Sequence, residues 1–435
     1  MDEGTLPRGL SRLRRVAVIS LHTSPTAKLG EAANGGLNVY VREVCCAFSQ
    51  RGIATDVFTR RLDPDAPAIE ELAPLSRVVY LPAGSPELDK YRLFDEVEPF
   101  ARRLAAFARR QKIEYDLLYS HYWLSGAVAC TLHGRLRVPW AHTAHTLGLV
   151  KNRRLAPGAR PEPELRLQLE AEISRAADLL VVSTAAEGED VVRGHSAHPA
   201  RVTVVSPGID LERFRPLDRA EARRQLDLPP GRTLLFVGRL ERLKGVELAL
   251  RAFALVVREH PDVRLLVVGE DSHESEESEK ARLRGIAAEL GILDQVEFRG
   301  PIPQERLPAY YSAAEACLMP SYSESFGLVG LEAQACGCPV VASDAAGISS
   351  VVRDGLTGFL VGRAEPAEYA DRLRRLLDQP AEAIQIGRRA SLLAQRFSWS
   401  GTADRLEAAF RELGAGYQLR VQAGSRQEYG NSAGS

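Results

Sequence analysis

The chain of 435 residues has no run of about 20 apolar residues, the length that a helix needs to span a membrane. Its basic start, residues 1–15, is not followed by an apolar segment, so we expect no signal peptide. The formal net charge is only −1, and no overall electrostatic field therefore favours nucleic acid or an anionic membrane. These absences predict a cytoplasmic protein that neither binds nucleic acid nor crosses a membrane.

Two common motifs of cofactor binding are missing as well. The six cysteines form no C-x-x-C pair, and the single residue between Cys336 and Cys338 suits neither zinc nor a redox pair. We expect these cysteines to be reduced thiols. The dinucleotide fingerprint G-x-G-x-x-G does not occur after the first strand. The sequence thus predicts no metal site and no bound redox cofactor.

The sequence does contain short β-branched strands that alternate with amphipathic helices, and this alternation occurs twice. The strands of the first series run from 16–21 to 201–205, and those of the second run from 234–240 to 358–361. Buried strands separated by helices predict parallel sheets that are covered on both faces. We therefore predict an α/β protein with two doubly wound, Rossmann-like domains that face each other across a cleft.

The proline-rich, polar stretch 206–233 between the two series predicts a linker. The domains are then residues 1–207 and residues 208–395. Residues 396–415 predict a further amphipathic helix that returns to the N-terminal domain. The Gly/Ser-rich residues 416–435 predict a disordered tail.

Loops that follow strands are the candidate functional segments, because open α/β sheets bind ligands at the carboxyl ends of their strands. Gly35 and Gly36 open the helix after the first strand, where free N–H groups could bind an anion or form a plain tight turn. Arg239 and Lys244 follow the first strand of the second series and could neutralise a diphosphate or be solvated charges. Neither feature alone decides between its two explanations.

Two glutamates with seven residues between them, Glu324 and Glu332, flank the predicted start of a helix near Gly327. An ionised carboxylate only accepts hydrogen bonds, so both residues suit a ligand rich in hydroxyls. Glu324 could bind a sugar and Glu332 a ribose diol, with a diphosphate at the helix N-terminus between them. The alternative is that Glu324 caps the helix and Glu332 lies on the surface.

Three histidines, His121, His142 and His145, lie at or near the ends of strands in the first series. One such histidine is usually a satisfied core residue, but three in one unit favour a site at that edge of the sheet. Their spacing is not that of a zinc site.

The segments "ESFGLVGLE", "FVGRL" with its following "KG", and "VVSPGIDLERF" resemble those of the retaining family 4 glycosyltransferases of GT-B fold. This family includes sucrose-phosphate synthases and phosphatidylinositol mannosyltransferases, and the resemblance spans about residues 14–413. "GGLNVYV" and "HTAHTLGLVKN" are most similar to its D-inositol 3-phosphate glycosyltransferases of mycothiol biosynthesis. The resemblance implies that a hexosyl group, N-acetylglucosaminyl in those relatives, moves from a UDP-sugar to inositol phosphate without a required cofactor.

The resemblance also implies a role for each matching residue. The catalytic residues would be His145, Arg239, Lys244 and Glu324. The donor-binding residues would be Gly35, Gly36, Arg239, Lys244, Ile302, Glu324, Ser325, Phe326, Gly327, Leu328 and Glu332. The acceptor-binding residues would be His22, Asn38, Lys90, Tyr122, Thr146 and Arg166. No acidic residue is an obvious nucleophile, so we expect a front-face reaction in which the leaving diphosphate takes the acceptor proton.

The chain departs from the family pattern at three places. The loop before Lys90 is about one residue shorter, and Cys338 stands where a threonine is usual. Ser312 replaces an arginine near the magnesium site of the family, so bound magnesium is a weaker implication than donor transfer. The implied partners are the nucleotide sugar and a phosphorylated acceptor, and a homodimer is left open.

Several alternatives also stay open at this stage. One is a sucrose- or sucrose-phosphate-synthase-like hexosyltransferase. Another is a peripheral-membrane phosphatidylinositol mannosyltransferase, suggested by the basic helix at 100–112 with its apolar Leu104 and Phe107. That helix could equally have a solvated basic face. A nucleotide-sugar epimerase and a binding protein without turnover are further possibilities.

Overall fold

The computed structural model of the protein describes residues 13–27, 35–271, 278–345 and 347–431. It contains two sheets of largely parallel strands connected by helices, which confirms the predicted α/β fold. One sheet lies between residues 15 and 204 and the other between residues 232 and 361. We keep residues 207 and 208 as the proposed boundary between the two domains.

The first sheet has eight strands. They are β1 (Arg15–Ile19), β2 (Ala54–Arg60), β3 (Ile69–Ala73), β4 (Ser76–Leu81), β5 (Leu117–His121), β6 (Trp140–Thr143), β7 (Leu179–Val182) and β8 (Val202–Val204). Their order is β3-β4-β2-β1-β5-β6-β7-β8. The accompanying helices are α1 (Gly36–Gln50), α2 (Val97–Gln111), α3 (Tyr122–Leu136), α4 (Gly148–Arg153), α5 (Glu164–Ala176) and α6 (Ala185–His195).

The second sheet has six parallel strands. They are β9 (Arg232–Val237), β10 (Val263–Val268), β11 (Val296–Arg299), β12 (Ala316–Met319), β13 (Val340–Ser343) and β14 (Gly358–Val361). Their order is β11-β10-β9-β12-β13-β14. The helices are α7 (Arg219–Gln225), α8 (Val246–Val256), α9 (Glu279–Glu289), α10 (Leu307–Ala313), α11 (Leu328–Ala335), α12 (Pro366–Asp378), α13 (Pro380–Ala394) and α14 (Trp399–Asn431).

Both sheets reverse their strand order at the first strand, because β1 lies between β2 and β5 and β9 lies between β10 and β12. The connections leave such a strand on opposite faces of the sheet, so a crevice opens at its carboxyl end. The loops after β1 and β9 are the ones that contain Gly35, Gly36, Arg239 and Lys244. The topology therefore places these residues at the two switch points.

The sequence predicted a parallel first sheet, but β3 pairs antiparallel with β4. Only Pro74 and Leu75 separate these two strands, and a connection this short permits antiparallel pairing alone. Residues 69–71 are exposed, so β3 lacks the buried apolar run by which the other strands were recognised.

Each sheet is covered on both faces, which is visible in the alternating side chains of its central strand. Ala17 and Ile19 belong to one apolar cluster with residues of α2 and α3, whereas Val16 and Val18 belong to another with residues of α1. In the second sheet, the adjacent residues Phe236 and Leu235 likewise belong to two different apolar clusters. The period of two along a strand produces this division.

The predicted linker 206–233 is not a free connection. Ile209, Phe214 and Ala222 are buried in a cluster with residues of the second sheet, and the segment contains α7. Its apolar residues thus make it part of the second core, which its proline content had obscured.

The last helix, α14, returns to the first half of the chain. Trp399, Leu406 and Phe410 are buried in the cluster that includes α1. The helix extends to Asn431, so it continues into the segment 416–435 that was expected to be disordered. The Gln, Arg and Ala residues of that segment favour a helix despite its glycines. Residues 432–435 lie outside the described part of the chain.

The basic helix α2 uses its apolar side inside the protein. Phe100, Leu104 and Phe107 are buried in the first core, which leaves Arg102 and Arg103 on the outer side. This arrangement favours the solvated basic face over a lipid-binding surface, because the apolar side is not available. No described helix is long and apolar enough to cross a membrane.

Replacing Phe410 by alanine should destabilise the protein by about 3–5 kcal/mol, because its buried ring packs against Phe48 and Tyr119. Leu419, which lies on the same helix and is 68% exposed, provides the matched control. Urea unfolding of Phe410→Ala and Leu419→Ala would measure both effects. Equal stability of the two variants would contradict the packing of α14 on α1.

Candidate active site

The candidate site begins where the N-termini of α1 and α11 approach each other from the two halves of the chain. A methyl group on Gly36 would lie only 3.1 Å from the Cδ1 atom of Leu328. Gly35 precedes α1 and Gly327 precedes α11, and neither helix has a side-chain cap on its first N–H groups. Two helix N-termini with free N–H donors therefore border one cleft, which suits an anionic ligand.

Lys244 lies beside Glu324 in this cleft. Its ammonium donates to Glu324 Oε2 at 2.7 Å, and both side chains are only partly exposed. Gly245 makes this contact possible, because its φ is +70° and a methyl group there would lie 2.0 Å from the carbonyl oxygen of Pro320. The loop after β9 thus packs directly on the loop after β12.

Arg239, the other predicted diphosphate-binding cation, lies in the same loop after β9. Its Nη2 atom is 3.1 Å from Glu241 Oε1, and its side chain is 40% exposed. Lys244 and Arg239 therefore each have a carboxylate neighbour, and a diphosphate would compete with these carboxylates for the two cations.

Glu332 is held more tightly than Glu324. Tyr311 donates its hydroxyl to Glu332 Oε2 at 2.8 Å, and Gln304 donates its amide to Oε1 at 3.3 Å. Burial raises the pKa of Glu332 to about 7, against the opposing effect of these hydrogen bonds and of Arg213. Because α11 begins at Leu328, Glu332 lies about one turn inside the helix.

The remaining predicted donor residues lie around the same helix. Phe326 packs its ring against Phe397 and is buried, so only its main chain could contact a ligand. Ser325 lines a cavity of about 370 Å³ between the two halves of the chain. Ile302 is half-buried at the edge of the second core, on the loop after β11.

The predicted acceptor residues surround the loop ends of β1, β5 and β6. The rings of His22 and Tyr122 are 4.5 Å apart, and the guanidinium of Arg166 lies 4.9 Å from the Tyr122 ring. Arg166 Nη2 also donates to the carbonyl and hydroxyl oxygens of Thr146, at 3.1 and 3.0 Å. Asn38 donates to Thr23 Oγ1 at 2.6 Å and so holds the turn next to His22.

This pocket is electrostatically positive. Burial and then the charges of Lys90, Arg60 and Arg166 lower the pKa of His22 to about 3, so the imidazole is neutral. Lys151 lies 3.0 Å from Glu162, and Arg166 lies 2.9 Å from Glu162 and 2.6 Å from Glu170. Among the described residues, Arg60, Lys90, Lys151 and Arg166 thus surround this pocket together with Glu162 and Glu170, and a phosphate could bind to these cations.

His145 follows β6 and is held by His121. Its Nε2 atom is 2.9 Å from His121 Nδ1, and one of the two nitrogens must donate a proton. Burial lowers the pKa of His145 to about 3, so it acts as a neutral group. His145 and Tyr122 have φ values of +59° and +74°, which is strained backbone for residues with side chains.

Reasoning from sequence did not identify Arg60, Lys151, Glu162 and Glu170 as parts of this pocket. A signal existed for two of them, because Glu162 and Glu170 stand four residues before and after Arg166. Glu187 was missed as well, although it follows Thr184 with capping-box spacing. It is buried beside the 370 Å³ cavity, and burial raises its pKa to about 7.

Metal ligands do not cluster in the described part of the chain, where no group of three His, Cys, Asp or Glu side chains could hold an ion. Ser312, at the position of the family's magnesium-site arginine, is buried and accepts the backbone N–H of Leu217 at 3.1 Å. The hydroxyl of Ser312 thus serves the packing of residue 217 onto α10.

Known proteins resemble this chain over most of its length. Residues 35–208 match the model of the glycosyl transferase 4-like domain, and residues 218–392 match that of glycosyl transferases group 1. The chain is 45% identical to a D-inositol 3-phosphate glycosyltransferase of Acidothermus cellulolyticus, over 92% of this chain and 90% of that protein. The D-inositol 3-phosphate glycosyltransferase of Nocardia farcinica is 44% identical over 98% of this chain and 97% of its own length. The chain belongs to this family of glycosyltransferases.

Solved structures of other proteins are similar to this structure. A sucrose-phosphate synthase from Thermosynechococcus elongatus superimposes with a TM-score of 0.86 at 34% identity, covering 93% of this chain and all of that one. The Anabaena protein HepE in complex with UDP and glucose gives 0.73 at 19% identity, covering 90% and 98% of the two chains. This glycosyltransferase therefore has the GT-B fold that its motifs predict, and it is a hexosyltransferase.

The buried histidines should make the glycosyltransferase sensitive to acid. Burial lowers the pKa values of His22, His142 and His145 to about 3. Their contribution to the free energy of unfolding is therefore complete above 6.5, the pKa of the unfolded chain, and is lost as the pH falls towards 3. Each adds up to ~1.4 kcal/mol per pH unit to the slope of the unfolding free energy. Glu187 and Glu332 act in the opposite direction between about pH 4.5 and 7, since their pKa values are raised.

Comparison of His142→Asn with the wild type isolates one histidine from these carboxyl groups. The slope of unfolding free energy between pH 6.5 and 5 should fall by up to ~1.4 kcal/mol per pH unit, since one proton fewer is taken up on unfolding. The exposed His198 is the control, as His198→Asn should keep the wild-type slope. An unchanged slope in His142→Asn would contradict a neutral, buried His142.

Proposed function

We propose that this glycosyltransferase is a retaining enzyme that transfers a hexosyl group from a UDP-sugar to a phosphorylated polyol such as 1D-myo-inositol 3-phosphate. In its most specific form, the proposal names N-acetylglucosaminyl as the transferred group. The observation that carries the acceptor assignment is the pocket around His22 and Arg166, which brings Arg60, Lys90 and Lys151 together. The names of the relatives at 44–45% identity support it.

The donor assignment rests on the cleft between the N-termini of α1 and α11. A diphosphate there would receive hydrogen bonds from free N–H groups and the charges of Arg239 and Lys244. Glu332 would accept the two ribose hydroxyls, and Glu324 would accept hydroxyls of the hexose. The complexes of HepE with UDP and with UDP-glucose support a uridine nucleotide on this fold.

The proposed reaction breaks the bond between the anomeric carbon and the diphosphate oxygen and forms a bond from that carbon to an acceptor hydroxyl on the same face. The hydroxyl proton passes to the leaving diphosphate, so no carboxylate nucleophile is required. Arg239 and Lys244 stabilise the charge that builds up on the diphosphate. Neutral His145 presents its ring and main chain to the donor sugar without adding a positive charge beside the anomeric carbon.

A second candidate is transfer to a phosphorylated sugar, as the structural likeness to a sucrose-phosphate synthase favours. The same cationic pocket would bind either acceptor through its phosphate. A screen of UDP-sugars against inositol phosphate and hexose phosphates, with products measured by mass spectrometry, distinguishes the two candidates. Donor hydrolysis without transfer to any acceptor would contradict both. That no cofactor is required stays a prediction, and a homodimer stays an open alternative.

The two glutamates should separate nucleotide binding from sugar transfer. Glu332→Ala should raise the Kd of UDP about 10-fold or more, because hydrogen bonds between a carboxylate and the ribose diol are lost. Glu324→Ala should leave that Kd unchanged or lower it, since Lys244 loses its carboxylate partner and becomes available to the diphosphate. Calorimetry with UDP and turnover assays measure the two effects. The reverse order of the two Kd values would show that the assigned ends are wrong.

Phosphorylated acceptors should be used about 100-fold or more efficiently than their free forms, because charge-assisted hydrogen bonds to the phosphate are the strong kind. Arg166 is a poor test of this preference, since its removal would leave Glu170 buried without a partner. Lys90→Ala should lower kcat/KM for inositol phosphate ~10–100-fold with little change for free inositol, because Lys90 is a cation of the same pocket. The neighbouring, exposed Arg92→Ala serves as the control. Equal losses on both acceptors would refute a phosphate-binding role for Lys90.

A further inference from the structure

Gln304 connects the N-terminal half of the chain to Glu332. Its side-chain oxygen accepts hydrogen bonds from Arg42 Nη2 at 3.1 Å and from Arg213 Nη1 at 2.8 Å. Its side-chain nitrogen donates to Glu332 Oε1 at 3.3 Å. Arg42 lies on α1, whereas Gln304, Arg213 and Glu332 belong to the second half. One buried amide therefore touches both sides of the cleft.

The chemistry of the partners fixes the orientation of this amide. An arginine can only donate hydrogen bonds. The oxygen of Gln304 must therefore face the two arginines, which leaves its N–H group to donate to Glu332 Oε1. The opposite orientation would place a donor against two donors.

We infer that Gln304 is a positioning residue through which Arg42 of α1, in the N-terminal half of the chain, supports the donor nucleotide site at Glu332 in the C-terminal half. The inference rests on the proposed function, in which Glu332 binds the ribose. Arg42 and Arg213 together hold the amide so that its N–H group faces the carboxylate. Nucleotide binding at Glu332 should therefore depend on a contact from the other half of the chain, and Arg42 should act on it only through Gln304.

The protonation of Glu332 provides a readout that a merely structural role would not affect. Burial raises its pKa to about 7, while the hydrogen bonds from Tyr311 and Gln304 and the charge of Arg213 lower it. Two carboxylates belong to the same network, because Glu43 pairs with Arg42 and Asp210 pairs with Arg213. The buried thiols of Cys317 and Cys336 and the Tyr311 hydroxyl also lie near Glu332, and burial raises all three of their pKa values. Loss of the Gln304 N–H should therefore move the ionisation of Glu332 to higher pH.

The experiment is calorimetric titration of the full chain with UDP between pH 6 and 8.5. Gln304→Met keeps the approximate shape of the side chain but removes both polar ends. It should raise the Kd of UDP about 10-fold at pH 7. Because the ionised form of Glu332 binds the ribose, affinity for UDP should increase as the pH rises through the pKa of this group. In Gln304→Met that increase should occur at a pH higher by a measurable fraction of a unit. Glu332→Gln shows the pH dependence that belongs to UDP alone, because the carboxyl group is gone.

Arg42→Ala tests the contact from the N-terminal half separately. It should raise the Kd of UDP about threefold without moving the pH dependence, since Arg213 still orients the amide. In the double variant with Gln304→Met, loss of Arg42 should have no further effect on the Kd. Arg102→Ala, an exposed arginine on α2, is the control and should bind UDP like the wild type.

Three results would overturn the inference. In the first, Gln304→Met binds UDP with the wild-type Kd and pH dependence. In the second, Arg42→Ala has the same effect in the presence and in the absence of Gln304. In the third, Glu332→Gln binds UDP like the wild type, which would also remove Glu332 from the proposed donor site. The first two results leave the proposed function intact, so failure of this inference can be distinguished from failure of the proposed function. A variant that does not fold is replaced by Gln304→Asn, which is too short to reach all its partners.

Discussion

The parallel pairing of strands around β1 and β9 is the constraint on which the rest of the site depends. Parallel strands end at one edge of a sheet, so the loops after β1, β5 and β6 meet in the first half and those after β9, β11 and β12 meet in the second. The chain crosses between the halves at two adjacent places, where Ile209 pairs with Ser398. Gly208 lies so close to the second crossing that a methyl group there would be 2.3 Å from the nitrogen of Trp399. These crossings keep the two strand edges on opposite sides of one cleft.

Ion pairs compensate the cations that line the cleft. Lys244 pairs with Glu324, Arg239 with Glu241, and Arg166 with Glu162 and Glu170. Of these cations Arg166 is fully buried, and a buried charge without a partner would cost several kcal/mol. In the proposed function, a diphosphate would exchange one anion for another at Lys244 and release Glu324 to accept hydroxyls. Glu324 would then have two roles, as the partner of Lys244 and as a ligand of the sugar.

The fold could be predicted from sequence because its signal is repeated in every strand and helix, whereas exceptions arise where that signal is weak. β3 is exposed and acidic, and the segment 206–233 hides its buried Ile209 and Phe214 among prolines. The site was accessible through motifs and family likeness, which named Arg166 and Glu332. The partners of Glu332 were not, because Gln304 and Tyr311 lie more than 20 residues away in sequence and reach it only through tertiary packing. Hydrogen bonds between distant segments leave no local pattern.

Tyr122 and His145 keep a strained backbone conformation in this cleft. A side chain in the left-handed region costs about 1 kcal/mol or more, and glycine would remove that cost at Tyr122 and His145. Glycine would also remove the ring that contacts His22 and Arg166, and the imidazole that pairs with His121. The strain persists because these aromatic contacts and hydrogen bonds hold both residues in place. Stability is therefore given up at two positions where a ring is needed, and in the proposed function these rings would face the phosphorylated acceptor and the donor sugar.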